Sequence, residues 1–315
     1  MSELKNIMIF GAGGSNIGRF IMDAFIEEGG FNVSTLSRKS SQSTYPGSVK
    51  NVRVDDDLPH DQLVAAMKGQ DVVISAVGLR GGALPLQIQV IDAAVEAGVK
   101  RFLPSEYGFD NMDEKTAWLV PAFKIKQNVE HHLNAKAREN PSFSWTAVAT
   151  SIWLEWALDV VFIGIDTVKH DVAYWDNGTH TPTVSTLPYS ALGVVESIKH
   201  ASETRNKRIF LNPLTASQRE IVAELEKQQG VKYTELEPVV GTKAIEEAHK
   251  KWADSGETDI PAVLTTVTAQ ILVEEYGTDF AKAGKGPILE DFVKMPKITL
   301  PEAVALYIKQ QKERK

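Results

Sequence analysis

An α/β fold built on a doubly wound parallel sheet is what this 315-residue sequence predicts. Three observations lead there. A short apolar run, NIMIF from residue 6, meets the glycine-rich stretch GAGGSNIG at once. A helix pattern follows, with Ile17, Phe20, Ile21, Ala24 and Phe25 on one stripe, and it stops at Gly29-Gly30. Strand-like and helix-like stretches then alternate to about residue 153, which implies right-handed crossovers between parallel strands.

Each element can be justified in order. NIMIF is uniformly apolar, as a strand buried on both faces must be. Further strands read as FNVSTLSR, NVRVD, DVVISAVG and KRFLPSE, and SWTAVATSIW after Pro141 reads as a sixth. Helices read as LPLQIQVIDAAVEAG and FKIKQNVEHHL. Beyond residue 153, DVAYWDNGTHTPTV reads as a hairpin turning at Asn177-Gly178. LPYSALGVVESIKHA reads as a helix and KRIFLN as a strand. Thr215 with Gln218, and Thr299 with Glu302, have the spacing of capping boxes. The expected division is a dinucleotide-binding domain over 1–152 and a smaller α/β domain, mainly substrate-binding, over 153–315, with some segments returning to the first sheet.

Composition narrows the function. A net charge of −7 shows no basic excess, so nucleic acid is not an expected partner. The chain has no cysteine, which excludes disulfides and thiol chemistry. No run approaches the ~18 apolar residues of a membrane span. The N-terminus lacks the basic and apolar regions of a secretory signal, so a cytoplasmic protein is expected. His131 and His132 have no second cluster of ligands beside them, and no metal is expected.

The glycine loop points to a dinucleotide. Glycines let the backbone turn tightly and approach a pyrophosphate, and a helix N-terminus adds free amides. Gly11, Gly13, Gly14, Ser15, Asn16 and Ile17 form this candidate cradle. The spacing departs from GxGxxG, because Gly18 arrives two residues late. The second strand ends in Arg38-Lys39, where an acidic residue would bind the ribose hydroxyl of NAD. A guanidinium there suits a 2′-phosphate, so NADP is expected. Asp55 to Asp57 are an alternative contact for the adenine edge or a solvated turn. Ligands of such sheets bind beyond the carboxyl ends of the strands. Ala76, Val77, Gly78, Pro104, Ser105, Glu106 and Ser151 are the remaining cofactor-binding candidates.

One lysine stands out. On a helical wheel, Phe123, Ile125, Val129, Leu133 and Ala137 form an apolar arc. Lys124 falls opposite it and Lys126 inside it. Burial disfavours the charged amine and lowers its pKa, which suits proton exchange near neutral pH. A purely structural lysine would instead reach water or pair with Glu130.

GAGGSNIG, LSR, RFLPSEYGFD, the Lys126 helix with Val129 and Leu133, and SWTAVATSIW occur in that order. Together they resemble the isoflavone reductase-like and NmrA-like families of atypical short-chain dehydrogenases, in a fungal form. The resemblance implies an NADPH-binding Rossmann domain and a smaller substrate domain. It also implies a role in secondary metabolism, a catalytic lysine beside the nicotinamide at Lys126, and room for a homodimer. The Tyr-x-x-x-Lys pair of classical members is absent, since Asn111 stands four after Tyr107. Related proteins often carry glycine where Ser151 stands and phenylalanine where Trp153 stands. Tyr107, Trp153 and Trp156 are candidates for the wall of an aromatic substrate pocket, with core packing as the alternative. The resemblance implies a reductase acting on an aromatic, phenolic or conjugated carbonyl-type molecule. A dinucleotide-sensing regulator without turnover, and a non-redox isomerase or cyclase, are the alternatives.

Overall fold

A computed structural model describes residues 4–13, 17–78 and 85–314, Pro121 by its backbone only. The first strand, β1 (Asn6–Phe10), leads through the glycine turn into α1 (Ile17–Glu28). There follow β2 (Asn32–Arg38), β3 (Lys50–Val54), α2 (His60–Met67), β4 (Val72–Ser75), α3 (Gln87–Glu96) and β5 (Arg101–Leu103). Next come α4 (Glu114–Leu119), α5 (Lys124–Glu139) and β6 (Ser144–Ala149). The main sheet has seven strands, in the order Lys207–Phe210, β6, β5, β4, β1, β2, β3. β1 pairs in parallel with both β2 and β4, so the strand order reverses there. That reversal is the switch point at which open α/β sheets bind ligands, and the glycine turn lies directly after β1.

The sheet is hydrophobic on both faces: Ile7, Ile9, Val72 and Ile74 are fully buried on one, and a second cluster covers the other. Met8, Phe10, Leu36, Val73 and Phe102 pack with Val90, Ile91, Val129 and Leu133 from the helices. Burying each such side chain stabilises the fold by roughly 1.5–3 kcal/mol.

The chain divides into two compact units. The first comprises Met1–Tyr107, Ile125–Ala149 and Pro188–Ile209. The second comprises Gly108–Lys124, Thr150–Leu187 and Phe210–Lys315, and is of comparable length. It holds two small sheets, Leu214–Thr215 with Thr183–Ser185 and Ile152–Trp153, and Thr234–Glu235 with Asp171–Val172 and Ile165–Asp166. The helices Gly241–Asp254 and Ile260–Leu272 belong to it too. Among the described residues, no helix is long and apolar enough to cross a membrane.

Three local expectations are corrected. SWTAVATSIW is not one strand: β6 ends at Ala149, and Ile152–Trp153 joins a different sheet beside Val184 and Ser185. The break falls at Ser151, whose φ of +57° lies in the left-handed region. Both halves are apolar, so hydrophobic pattern could not locate it. DVAYWDNGTHTPTV does turn, with Gly178 N–H donating to Trp175 O, but its two flanking strands enter different sheets and form no hairpin. The capping box of helix Gln218–Gln229 uses Ser217 and Glu220, not Thr215 and Gln218. The Thr299–Glu302 box on Leu300–Glu313 is formed as expected.

Candidate active site

The glycine turn is built by close backbone approach. Gly11 has φ +98°, and a Cβ there would lie 2.7 Å from the Ala76 carbonyl oxygen. A Cβ on Gly18 would lie 2.4 Å from the Gly11 carbonyl oxygen. Gly18 therefore serves as the glycine of strand–helix contact despite its late position. Ala76 N–H in turn donates to Phe10 O. Ile17 begins α1 and is buried. Gly14, Ser15 and Asn16 lie outside the described residues. An unforeseen neighbour covers the turn: Ser43 Oγ donates to Gly13 O at 3.0 Å.

At the end of β2, Arg38 is half-buried and Lys39 exposed. The Lys39 amine pairs with Asp55 at 2.5 Å. That hydrogen bond, helped by Gln62, holds the Asp55 carboxyl below its ordinary range. Asp56 accepts from the Ser40 amide. The acidic turn thus has partners within the protein.

The ends of β4 and β5 are tied together. Ser105 Oγ donates to Val77 O at 2.6 Å, and Ser105 N–H donates to the Gln87 side chain at 2.8 Å. Pro104, Ser105 and Glu106 are buried, while Gly78 is exposed. Tyr107 is buried too, with a φ of +30°, and burial pushes its phenol far above the ordinary range. These bonds show Ser105 fixing backbone.

Lys126 lies where the wheel puts it. Lys124 is exposed, whereas Val129 and Leu133 are fully buried on the Lys126 side of α5. The Lys126 amine donates to the Glu106 carbonyl oxygen at 2.8 Å. Burial lowers its pKa; Glu106 pulls it up and Arg208 pushes it down. Glu130, one turn further along α5, accepts from Arg208 Nη2 at 2.6 Å. Arg208 Nη1 also donates to Glu106 at 3.1 Å. The sequence reading missed Arg208; its signal was a basic residue inside the apolar strand KRIFLN.

Ser151, Trp153 and Trp156 belong to the second unit. Ser151 is buried; its N–H donates to Gly108 O at 2.9 Å and its Oγ to Thr183 O at 2.5 Å. Its left-handed backbone is where glycine is easiest to place, and the two hydrogen bonds hold a serine there instead. Trp153 is half-buried at a strand end. Trp156 is half-buried and packs its ring on Phe162 at 4.8 Å. His131 is exposed, and His132 pairs with Asp92 at 2.8 Å. Among the described residues no cluster of three or more His, Asp or Glu could hold a metal ion.

A parallel sheet with a glycine turn at its switch point defines a dinucleotide-binding α/β protein. More narrowly, the chain belongs to the NmrA-like family, whose profile matches residues 3–251. It is 35% identical over 228 residues to the oxidoreductase aprR of Aspergillus flavus, covering 72% of this chain and 75% of that protein. Its fold matches a crystal structure of isoflavone reductase at a TM-score of 0.74, with 21% identity, over 97% of this chain and all of the other. It also matches the leucoanthocyanidin reductase–NADPH complex from Vitis vinifera at 0.72, with 18% identity, over 96% and 99% of the two chains. These relationships place the chain among the oxidoreductases of an isoflavone reductase-like fold.

Proposed function

We propose that the chain is an NADPH-dependent reductase of an aromatic, phenolic or conjugated carbonyl-type small molecule, with Lys126 as its general acid and base. The observation that carries this reading is the Lys126 amine, half-buried and held on the Glu106 carbonyl, where desolvation lowers its pKa. An amine whose pKa is lowered releases its proton more readily than an ordinary lysine, as a general acid and base requires.

The residues suit a dinucleotide. Gly11 in the turn and Gly18 at the start of α1 leave no room for side chains. Gly11, Gly13, Ala76 and Val77 would border the phosphates and ribose, Arg38 would meet a 2′-phosphate, and Ser105 and Glu106 would shape the nicotinamide end. When bound, the cofactor supplies hydride. Protonated Lys126 gives a proton to substrate oxygen and takes one back from solvent. Trp153 and Trp156 are assigned to substrate contact. The structure of leucoanthocyanidin reductase with NADPH supports the cofactor by analogy.

Lys126→Ala should lower NADPH oxidation on a responsive aromatic substrate by about 100-fold or more. The same variant should keep its NADPH affinity, measured by fluorescence titration. Undiminished turnover would remove Lys126 from the mechanism. Arg38→Ala should cut the preference for NADPH over NADH by roughly 10–100-fold, the loss of a charge-assisted hydrogen bond to phosphate. No oxidation on any candidate, with a protein partner captured in one cofactor state only, would make the chain a sensor instead.

A further inference from the structure

The strand Lys207–Phe210 is an edge of the seven-stranded sheet, next to β6. Ile209 and Phe210 are buried apolar residues, as a strand requires, yet Arg208 is buried beside them. Apolar side chains would serve packing there without the cost of desolvating a guanidinium. Arg208 instead forks between Glu106 Oε2 at 3.1 Å and Glu130 Oε2 at 2.6 Å. Both carboxylates are buried. Glu106 is also the residue whose carbonyl receives the Lys126 amine. Glu130 stands four residues beyond Lys126 on α5, on the same face.

We propose that Arg208 is a positioning residue for Lys126: it clamps Glu106 and Glu130, steadies the Glu106 carbonyl against the lysine amine, and offsets the charge of both carboxylates beside that amine. This rests on the acid–base reading of Lys126 given above. Two buried carboxylates without the clamp would draw the lysine into an ion pair and hold its proton. Loss of the guanidinium would also remove a repelling cation, so both changes act in one direction. Tyr107, next to Glu106, stays neutral because burial pushes its phenol far up.

The test reads ionisation rather than turnover. Full-length protein is acylated with acetic anhydride across a pH series, and mass spectrometry compares Lys126 with exposed Lys124 as an internal reference. In the unaltered chain the Lys126 midpoint should lie below the ordinary lysine range. In Arg208→Met it should rise by about one pH unit or more, which is roughly tenfold less reactive amine at a fixed pH below both midpoints. Arg208→Lys keeps a cation and should recover most of that displacement. If Arg208→Met does not fold by circular dichroism, the charge-balanced Arg208→Gln/Glu130→Gln variant is measured with the same expectation. An unchanged Lys126 midpoint in a folded variant overturns the proposal, and so does an equal movement of Lys124. Should Lys126→Ala retain turnover, the chemical role of the lysine fails while the clamp is still decided by the labelling.

Discussion

Arg101 and Arg208 are both buried in strands of the same sheet, and they are satisfied by opposite chemistry. Arg101, on β5, bonds only neutral groups in the contacts seen: Ser144 Oγ at 2.8 Å, Thr146 Oγ1 at 2.7 Å, Thr204 Oγ1 at 3.2 Å and Ala201 O at 2.6 Å. Ala201 and Thr204 follow the helix Leu187–Lys199, so the guanidinium sits where a helix end presents carbonyls to a cation. Burial still pushes its pKa down to about 10. Arg208 is matched to two carboxylates beside the Lys126 site. The first arrangement ties β5, β6 and a helix end together. The second pairs a guanidinium with two carboxylates beside the Lys126 amine. A buried cation thus says little about function until its partners are known.

Stability measurements can break that contrast. Arg208→Met should cost the most, about 5 kcal/mol in denaturant unfolding, because it strands two carboxylates in the interior. Arg101→Met should cost less, about 3 kcal/mol. Its hydroxyl partners already donate elsewhere, Ser144 to Lys100 O and Thr146 to Thr204 O, so no buried donor is stranded among them. It should leave the Lys126 labelling midpoint in place; movement of that midpoint would erase the distinction between the two arginines.

Glu155 sharpens the comparison from the anionic side. It is buried, and both oxygens accept from the Leu187 amide at 3.2 and 3.3 Å. Burial raises its pKa from 4.5 to about 7. A raised acid favours the folded state while protonated, so this contribution is full below about pH 4.5 and lost as pH rises to about 7. Glu155→Gln should therefore stabilise the protein by about 2 kcal/mol at pH 8 and by little near pH 4.5. Equal melting shifts at both pH values would show that the carboxyl is not ionised against its surroundings.

The candidate site was legible where the signal was local. The glycine turn needs two specific residues at a strand–helix junction, and Gly11 and Gly18 reveal it despite irregular spacing. The place of Lys126 follows from helical periodicity, because the apolar stripe that includes Val129 and Leu133 must face the sheet. Ser43 over Gly13, and Arg208 between two glutamates, join residues far apart in the chain, and no local pattern reports such pairs.

By itself the sequence determined the α/β alternation, the switch-point turn and the buried face of α5. Each rests on short-range backbone preference and on the 2.0 and 3.6 residue periods of strand and helix. Only the tertiary structure decided that the chain changes sheet at Ser151, that the Asn177-Gly178 turn joins strands of different sheets, and that Arg208 engages Glu130. Those outcomes depend on which strands find each other and which charges lose their water together, and both are settled by packing across the whole chain.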